Sequence, residues 1–383
     1  MVHVLNWRPR ARDLADALEE SGDLHSLHWR AAIEETPRHE FVPRYYQNQG
    51  GAPTVWRQVE SNDGPAWFDP IYANATLVTQ LDPVTVHATA DGWTGVPSSS
   101  STAPSLMVRM LEALDIAADH TVLEIGTGTG YNAALIAHRL QSTEQLTTAD
   151  IDPELTSAAG SRLQACDHNP TVLTCDASEY PWPRAYDRVI ATCGLPRIGE
   201  SLRVAVATGG RLIANLMPPL SAGLAVLTAA DDGTLRGRFH PDGGMFMPAR
   251  HDPTTYARTG PADLGGLRKG EAGIPLEAFD DYRFKFLLAA YLPGVDLQYG
   301  IEDERVMRRL VLPDGSSSEA WYEDGRPLSY RERGEQEVWA VAARCWEWYE
   351  RNDRPSWERF GLTVTPQGHH FWFEHPDQVL TSF

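Results

Sequence analysis

The sequence predicts an α/β protein, a mostly parallel sheet with helices on both faces, followed by a smaller α+β domain. Three observations predict this. Between residues 121 and 250, short apolar runs alternate with helical patterns, which is how a parallel sheet with crossover helices reads. One run, 121–125, turns through glycines directly into a helix. Beyond residue 265 the pattern changes to hairpin signals around one amphipathic helix.

Taken in order, the first 45 residues predict two short amphipathic helices, at 11–20 and 26–35, closed by Pro37. Residues 46–100 are rich in Gly, Pro, Asn and Asp and carry Trp56, Trp67, Phe68, Tyr72 and Trp93. They predict a long irregular binding loop ordered by its aromatics. Pro104 opens a helix to about residue 114, and the serines 98–101 before it fit a capping tract. Strands are expected at 121–125, 145–150, 171–175, 186–192, 211–215 and 224–229, with a helix in each of the first three intervals. MFMPAR, 245–250, reads as an antiparallel edge strand, and 251–265 as a Pro-, Gly- and Thr-rich linker. Hairpins are expected from 310–313 with 319–322 and from 362–364 with 370–373, with a helix at 336–350. The implied domains are 1–100, helices and substrate-binding insertion; 101–250, cofactor domain; and 266–383, an accessory peptide-binding domain.

The formal charge is −19, from 33 basic and 52 acidic side chains. No basic stripe is visible, which argues against a nucleic-acid partner, since neutralising phosphates supplies most of such affinity. No apolar run has the length of a membrane span, and the amino terminus lacks a signal peptide's apolar core. Cys166, Cys175, Cys193 and Cys345 form no metal or redox spacing, so reduced thiols in a cytoplasmic protein are expected. The histidines, including His369 and His370, show no ligand spacing, and no metal is expected. Six of the twelve tryptophans lie between 321 and 372, as core packing or as an aromatic groove for a peptide.

The chemistry concentrates at Glu124, Gly126, Thr127, Gly128 and Gly130, where glycines bring bare backbone to a ligand at a strand's carboxyl end. The spacing is G-x-G-x-G rather than the dinucleotide G-x-G-x-x-G, and Glu124 would repel a pyrophosphate. S-adenosyl-L-methionine, with a sulfonium, an ammonium and no phosphate, suits an acidic approach better than NAD. Asp150, ending the second strand, can accept both hydroxyls of a ribose. Asp152, followed by Pro153, better suits a helix cap. Asp176 is placed after the third strand to accept from an adenine amine while Ala177 offers its backbone N–H. The fourth strand ends in ATCGLP, without the Asn/Asp-Pro-Pro-aromatic run that holds amine acceptors; NLMPPL, 215–220, reads as a turn. A carboxylate acceptor is ionised at neutral pH and needs no general base, only alignment at attack distance.

PRHEFVP (37–43), STAPS (101–105), VLEIGTGTGY, TADIDPEL, CDASEYPWPRAYDRVIAT and GGRLIAN occur in the order and spacing of the protein-L-isoaspartate O-methyltransferase family, which residues 30–250 resemble. The resemblance implies a Rossmann-like class I S-adenosylmethionine-dependent methyltransferase that esterifies an aspartyl or isoaspartyl carboxylate. It makes Glu124, Gly126, Thr127, Gly128 and Gly130 cofactor-turn residues, Asp150 the ribose ligand, Asp176 and Ala177 the adenine contacts, and Ser101 and Thr102 the catalytic hydroxyls. Two departures stand out: Thr102 replaces the family's serine behind a serine tract, and the tail and the 46–100 segment are absent from the repair enzymes. Long relatives with such a tail resemble methyltransferases of graspetide and lanthipeptide pathways. That implies methylation of an aspartate in an already cyclised (macrocyclic) precursor peptide, the ester closing to an aspartimide. Protein repair is the alternative, and a cofactor-binding scaffold without transferase activity a third reading. The sequence gives no oligomeric state.

Overall fold

The computed structural model describes residues 6–216, 220–250, 267–302 and 304–383. Its contacts divide the chain into two compact units. One comprises residues 1–192, 199–213 and 250–255, and the other 193–198, 214–249 and 256–383.

The first unit opens with α1 (Trp7–Glu20), α2 (Leu27–Glu35) and the one-turn α3 (Arg38–Phe41). Helix α1 starts four residues earlier than the periodicity suggests and buries Ala11, Leu14, Ala15 and Leu18, the i, i+3, i+4, i+7 face. Residues 44–101, expected to be an irregular loop, instead fold into a sheet. Its strands are β1 (Arg44–Asn48), β2 (Val55–Glu60), β3 (Leu77–Leu81), β4 (His87–Thr89), β5 (Gly92–Thr94) and β6 (Pro97–Ser101), with α4 (Pro65–Ile71) between β2 and β3. The order is β4-β5-β2-β1-β3-β6, with antiparallel pairing. Three of the five aromatics read as loop residues join a core. Trp67, Phe68 and Tyr72 pack with Val42, Tyr45, Val59, Ile71 and Leu77, and each large ring contributes about 2–3 kcal/mol by burial. The Trp67 indole N–H donates to the Val42 carbonyl at 3.0 Å.

The α/β part then runs α5 (Pro104–Leu114), β7 (Val122–Ile125), α6 (Tyr131–Arg139), β8 (Leu146–Asp150), α7 (Pro153–Ala165), β9 (Thr171–Thr174), β10 (Tyr186–Leu195), α8 (Glu200–Val204) and β11 (Val206–Leu216). Strands β10, β7, β8 and β9 lie side by side and parallel, pairing Ile190 with Glu124, Glu124 with Thr148, and Asp150 with Thr174. The carboxyl ends of β7, β8 and β9 therefore come together. Two of the three expected interval helices form. The third, between β9 and β10, is only a turn in which the Glu179 and Tyr180 N–H groups donate to the Asp176 carbonyl. Pro181 and Pro183 remove the donors a helix there would need. Helix α5 begins at Pro104 as expected, but its N-cap is Ala103, without a side-chain cap; the serines form β6 instead.

The second unit contains β12 (Gly223–Ala229), β13 (Leu235–Phe239), β14 (Arg268–Glu271), α9 (Tyr282–Tyr291), β15 (Asp296–Glu302), β16 (Arg305–Val311), β17 (Ser317–Glu323), β18 (Arg326–Arg333), α10 (Val338–Arg351), β19 (Phe360–Thr365), β20 (Gly368–Phe373) and β21 (Val379–Ser382). Both predicted hairpins are present, β16–β17 and β19–β20. Strand β13 pairs antiparallel with β19, so strands before and after the 251–265 segment share one sheet in the order β12-β13-β19-β20-β21. A second sheet has the order β14-β18-β17-β16-β15. MFMPAR does not form the expected antiparallel strand: only Pro248 bridges, in parallel, to Gly194. Trp339 stacks between Phe279 and Tyr330, and its indole N–H donates to Ala272, so this tryptophan is core. The linker read at 251–265 and positions 217–219 of the turn read at 215–220 lie outside the described residues.

Candidate active site

The glycine turn exists because its backbone goes where side chains cannot. Gly126 has φ +95°, and a Cβ there would sit 2.7 Å from the Thr192 hydroxyl oxygen. That hydroxyl donates toward the Gly126 carbonyl at 2.8 Å and the Ile125 carbonyl at 3.1 Å, fastening the end of β10 to the turn. Gly128 has φ +50°, and the nearest atoms to an added Cβ are Ser99 Oγ at 3.7 Å and the Ser100 carbonyl at 3.8 Å. Strand β6 thus runs beside the turn. The Gly126 and Thr127 N–H groups both donate to the Ala149 carbonyl, at 2.8 and 3.2 Å.

Asp150 lies where β8 ends. One carboxylate oxygen accepts the Gly128 N–H at 3.0 Å and the other the Asp152 N–H at 3.2 Å. A carboxylate offers about four lone-pair positions, so capacity remains for two further donors, the number a ribose diol supplies. Burial raises its pKa above the usual aspartate range, opposed by those two N–H donors and by the Arg250 charge. Asp152 takes the capping role expected of it, accepting from the Glu154 and Leu155 N–H groups. Its other oxygen accepts from Gln80 Nε2 at 3.0 Å. Asp176 accepts from the Ser178 N–H at 2.9 Å and the Ser178 hydroxyl at 2.6 Å. The Cys175 N–H donates to the Asp150 carbonyl, tying the ends of β8 and β9 together. The Ala177 carbonyl accepts from the Ser201 hydroxyl at 3.2 Å.

Glu124 differs from its sequence reading. It is fully buried rather than presented to a ligand. Asn132 Nδ2 donates to one of its oxygens at 2.7 Å and the Thr148 hydroxyl to the other at 2.6 Å. The Thr148 hydroxyl shares a further hydrogen bond with the Thr127 hydroxyl at 2.7 Å, so the Thr127 side chain also turns inward. Burial pushes the Glu124 pKa up to about 7, partly offset by its two donors and reinforced by Asp150. Glu124 and Thr127 thus brace the turn from beneath.

Ser101 and Thr102 separate in role. Ser101 is buried and its hydroxyl oxygen accepts from Arg38 Nη2 at 3.1 Å. Thr102 lies past the end of β6, half-buried, with its carbonyl accepting from Arg38 Nη2 at 3.2 Å. The Ala103 N–H next to it donates to the Thr76 hydroxyl at 3.0 Å. Arg38 lies within PRHEFVP, but the sequence alone assigns it no role. The signal was PRHEF, an arginine opening a one-turn helix after proline, with no reason visible in one dimension for burying it.

Gly126, Gly128, Gly130, Asp150 and Asp176 thus converge at adjacent strand ends, with β6 alongside. A turn with positive φ at its glycines and a buried carboxylate with spare acceptor capacity fit a nucleoside bearing a ribose diol. Among the described residues, no group of three or more His, Cys, Asp or Glu is placed to hold a metal, and no helix is long and apolar enough to cross a membrane.

The profile of the protein-L-isoaspartate(D-aspartate) O-methyltransferase family matches residues 79–248. The chain is 28% identical over 243 residues to the protein-L-isoaspartate O-methyltransferase of Methanopyrus kandleri, covering 62% of this chain and 91% of that one. It is 35% identical over 160 residues to protein-L-isoaspartate O-methyltransferase 1 of Anaeromyxobacter sp., covering 40% of this chain and 70% of that one. A solved structure named protein-L-isoaspartate O-methyltransferase superposes with a TM-score of 0.53 at 18% identity, over 95% of this chain and 100% of that one. That likeness is one of fold and extends over nearly the whole chain.

Proposed function

The chain belongs to the protein-L-isoaspartate O-methyltransferase family and is an S-adenosylmethionine-dependent O-methyltransferase, and we propose that its acceptor is the carboxylate of an isoaspartyl residue in a polypeptide. When bound, the cofactor supplies an electrophilic methyl group on a sulfonium. Gly126, Gly128 and Gly130 admit it to the strand ends, Asp150 accepts from its ribose hydroxyls, and Asp176 and Ala177 lie on the adenine side. Glu124 and Thr127 support the turn from within. The acceptor carboxylate brings its own negative charge, so no residue has to remove a proton. Thr102, at the end of β6, positions the acceptor, while Ser101 holds Arg38.

The observation carrying this reading is the convergence of the family match with Asp150 beside the glycine turn. The test is methyl transfer from labelled S-adenosylmethionine to a synthetic isoaspartyl peptide and to its normal aspartyl counterpart. The isoaspartyl peptide should gain a base-labile methyl ester released as methanol. Absence of label on it would remove the reading.

A second reading is methylation of an aspartate in a cyclised precursor peptide, with closure to an aspartimide. What favours it is the acceptor side, where Thr102 follows the serine strand Ser98–Ser101. Gain of a methyl group and then loss of methanol on a cyclised precursor, with no turnover of the isoaspartyl peptide, would select it.

A further inference from the structure

Arg38 is fully buried on α3. Its Nη1 donates to the carbonyls of Ile71 and Ala73 at 2.7 and 3.1 Å. Its Nη2 donates to the carbonyls of Ala75 and Thr102, both at 3.2 Å, and to the Ser101 hydroxyl at 3.1 Å. Among the described residues no carboxylate forms an ion pair with it, although buried charges are ordinarily paired. Removal from water without an anion lowers its pKa to about 10, so it stays charged at neutral pH. Its position is also specific. The guanidinium lies 5.5 Å from the Tyr131 ring centroid, immediately after the glycine turn. From the same helix, Phe41 comes within 3.5 Å of where a Gly130 Cβ would be. The cation therefore holds Ser101 and Thr102, where β6, having run beside the glycine turn at Ser99 and Ser100, gives way to α5.

We propose that Arg38 is a specificity-determining residue whose uncompensated buried charge selects an anionic carboxylate acceptor over a neutral one, the acceptor supplying the counter-charge the protein withholds. The inference rests on the acceptor being a carboxylate. Neutral donors could fasten the same carbonyls, but only a fixed cation in a poorly screened interior projects an attractive potential to the acceptor. For unit charges roughly 10 Å apart at an effective dielectric near 20, that amounts to about tenfold in affinity.

The experiment compares, by calorimetry on enzyme saturated with S-adenosylhomocysteine, binding of an isoaspartyl peptide and of the same peptide with the free carboxylate replaced by a carboxamide. Taking the ratio within each variant cancels losses common to both ligands. The wild type should prefer the anion, Arg38→Gln should reduce that preference by about tenfold, and Arg38→Lys should regain it as pH is lowered toward about 5, where a buried lysine takes up its proton. Asn74→Ala, which removes the acceptor for the Ser105 N–H in the first turn of α5, next to that segment, without changing charge, should leave the ratio unaltered. If Arg38→Gln does not fold, Arg38→Lys and Asn74→Ala decide: a preference in Arg38→Lys that does not rise as pH falls toward about 5, or its loss in Asn74→Ala, shows that packing rather than charge sets it. A wild type that prefers neither peptide overturns both the inference and the carboxylate reading. A preference surviving in Arg38→Gln overturns the inference alone.

Discussion

Glu124→Gln is the most informative single change beneath the glycine turn. Glu124 is fully buried, with its pKa raised from the ordinary 4.5 to about 7. The folded protein therefore holds this proton more tightly than the unfolded chain does. The stability it contributes is complete below pH 4.5 and is lost as pH rises through about 7. A shift of this size corresponds to about 3 kcal/mol of destabilisation above pH 7 relative to acid. Glutamine cannot ionise, so it removes that slope. It also leaves one of the donors, Asn132 Nδ2 or the Thr148 hydroxyl, less well matched, costing about 1 kcal/mol. The larger effect wins at high pH. Thermal unfolding of the cofactor-free protein across pH 4.5–8.5 should show wild type falling relative to Glu124→Gln by several degrees, at roughly 2–4 °C per kcal/mol. The difference between the two proteins isolates Glu124 from Asp150, which titrates in the same direction. Parallel pH profiles would refute a protonated Glu124 beneath the turn.

Asp150→Asn keeps one acceptor but loses the charge that receives the Gly128 and Asp152 N–H groups. Calorimetry should show S-adenosylmethionine binding weakened by about 1.5–3 kcal/mol, and an unchanged affinity would remove Asp150 from the cofactor site. Thr102→Ala should lower turnover of the isoaspartyl peptide while leaving cofactor affinity within about twofold, since the Arg38 bond is to the backbone; a loss confined to cofactor affinity would move Thr102 out of the acceptor side. Gly361→Ala places a Cβ 2.1 Å from the Trp372 ring. It should destabilise the second unit by about 1–3 kcal/mol or more, seen as earlier loss of tryptophan near-ultraviolet dichroism, and unchanged melting would mean that the strand and ring separate freely.

Much of the α/β part was legible because its signals are local. Pro104 fixes the start of α5, the acids at 150 and 176 follow short apolar strands, and the glycines at 126–130 announce their turn. The 46–100 sheet was not legible because its strands are short or atypical: β4 and β5 have three residues each, and β6 is Pro-Ser-Ser-Ser-Ser, with no alternation to detect. Strand β11 runs from Val206 rather than from the expected 211 because Gly209 and Gly210 interrupt its apolar run. Glu124 was legible as an acid near the turn but not as one facing inward, since its orientation depends on Asn132 and on Thr148 of the neighbouring strand. Arg38 was invisible for a similar reason, its partners lying 33 to 64 positions away along the chain.

The most direct measurement is a crystal structure with S-adenosylhomocysteine bound. Its adenosine should rest against residues 126–130 with both ribose hydroxyls donating to Asp150, and its sulfur directed toward Thr102. A nucleoside seated elsewhere, or a ribose held by residues other than Asp150, would contradict the account.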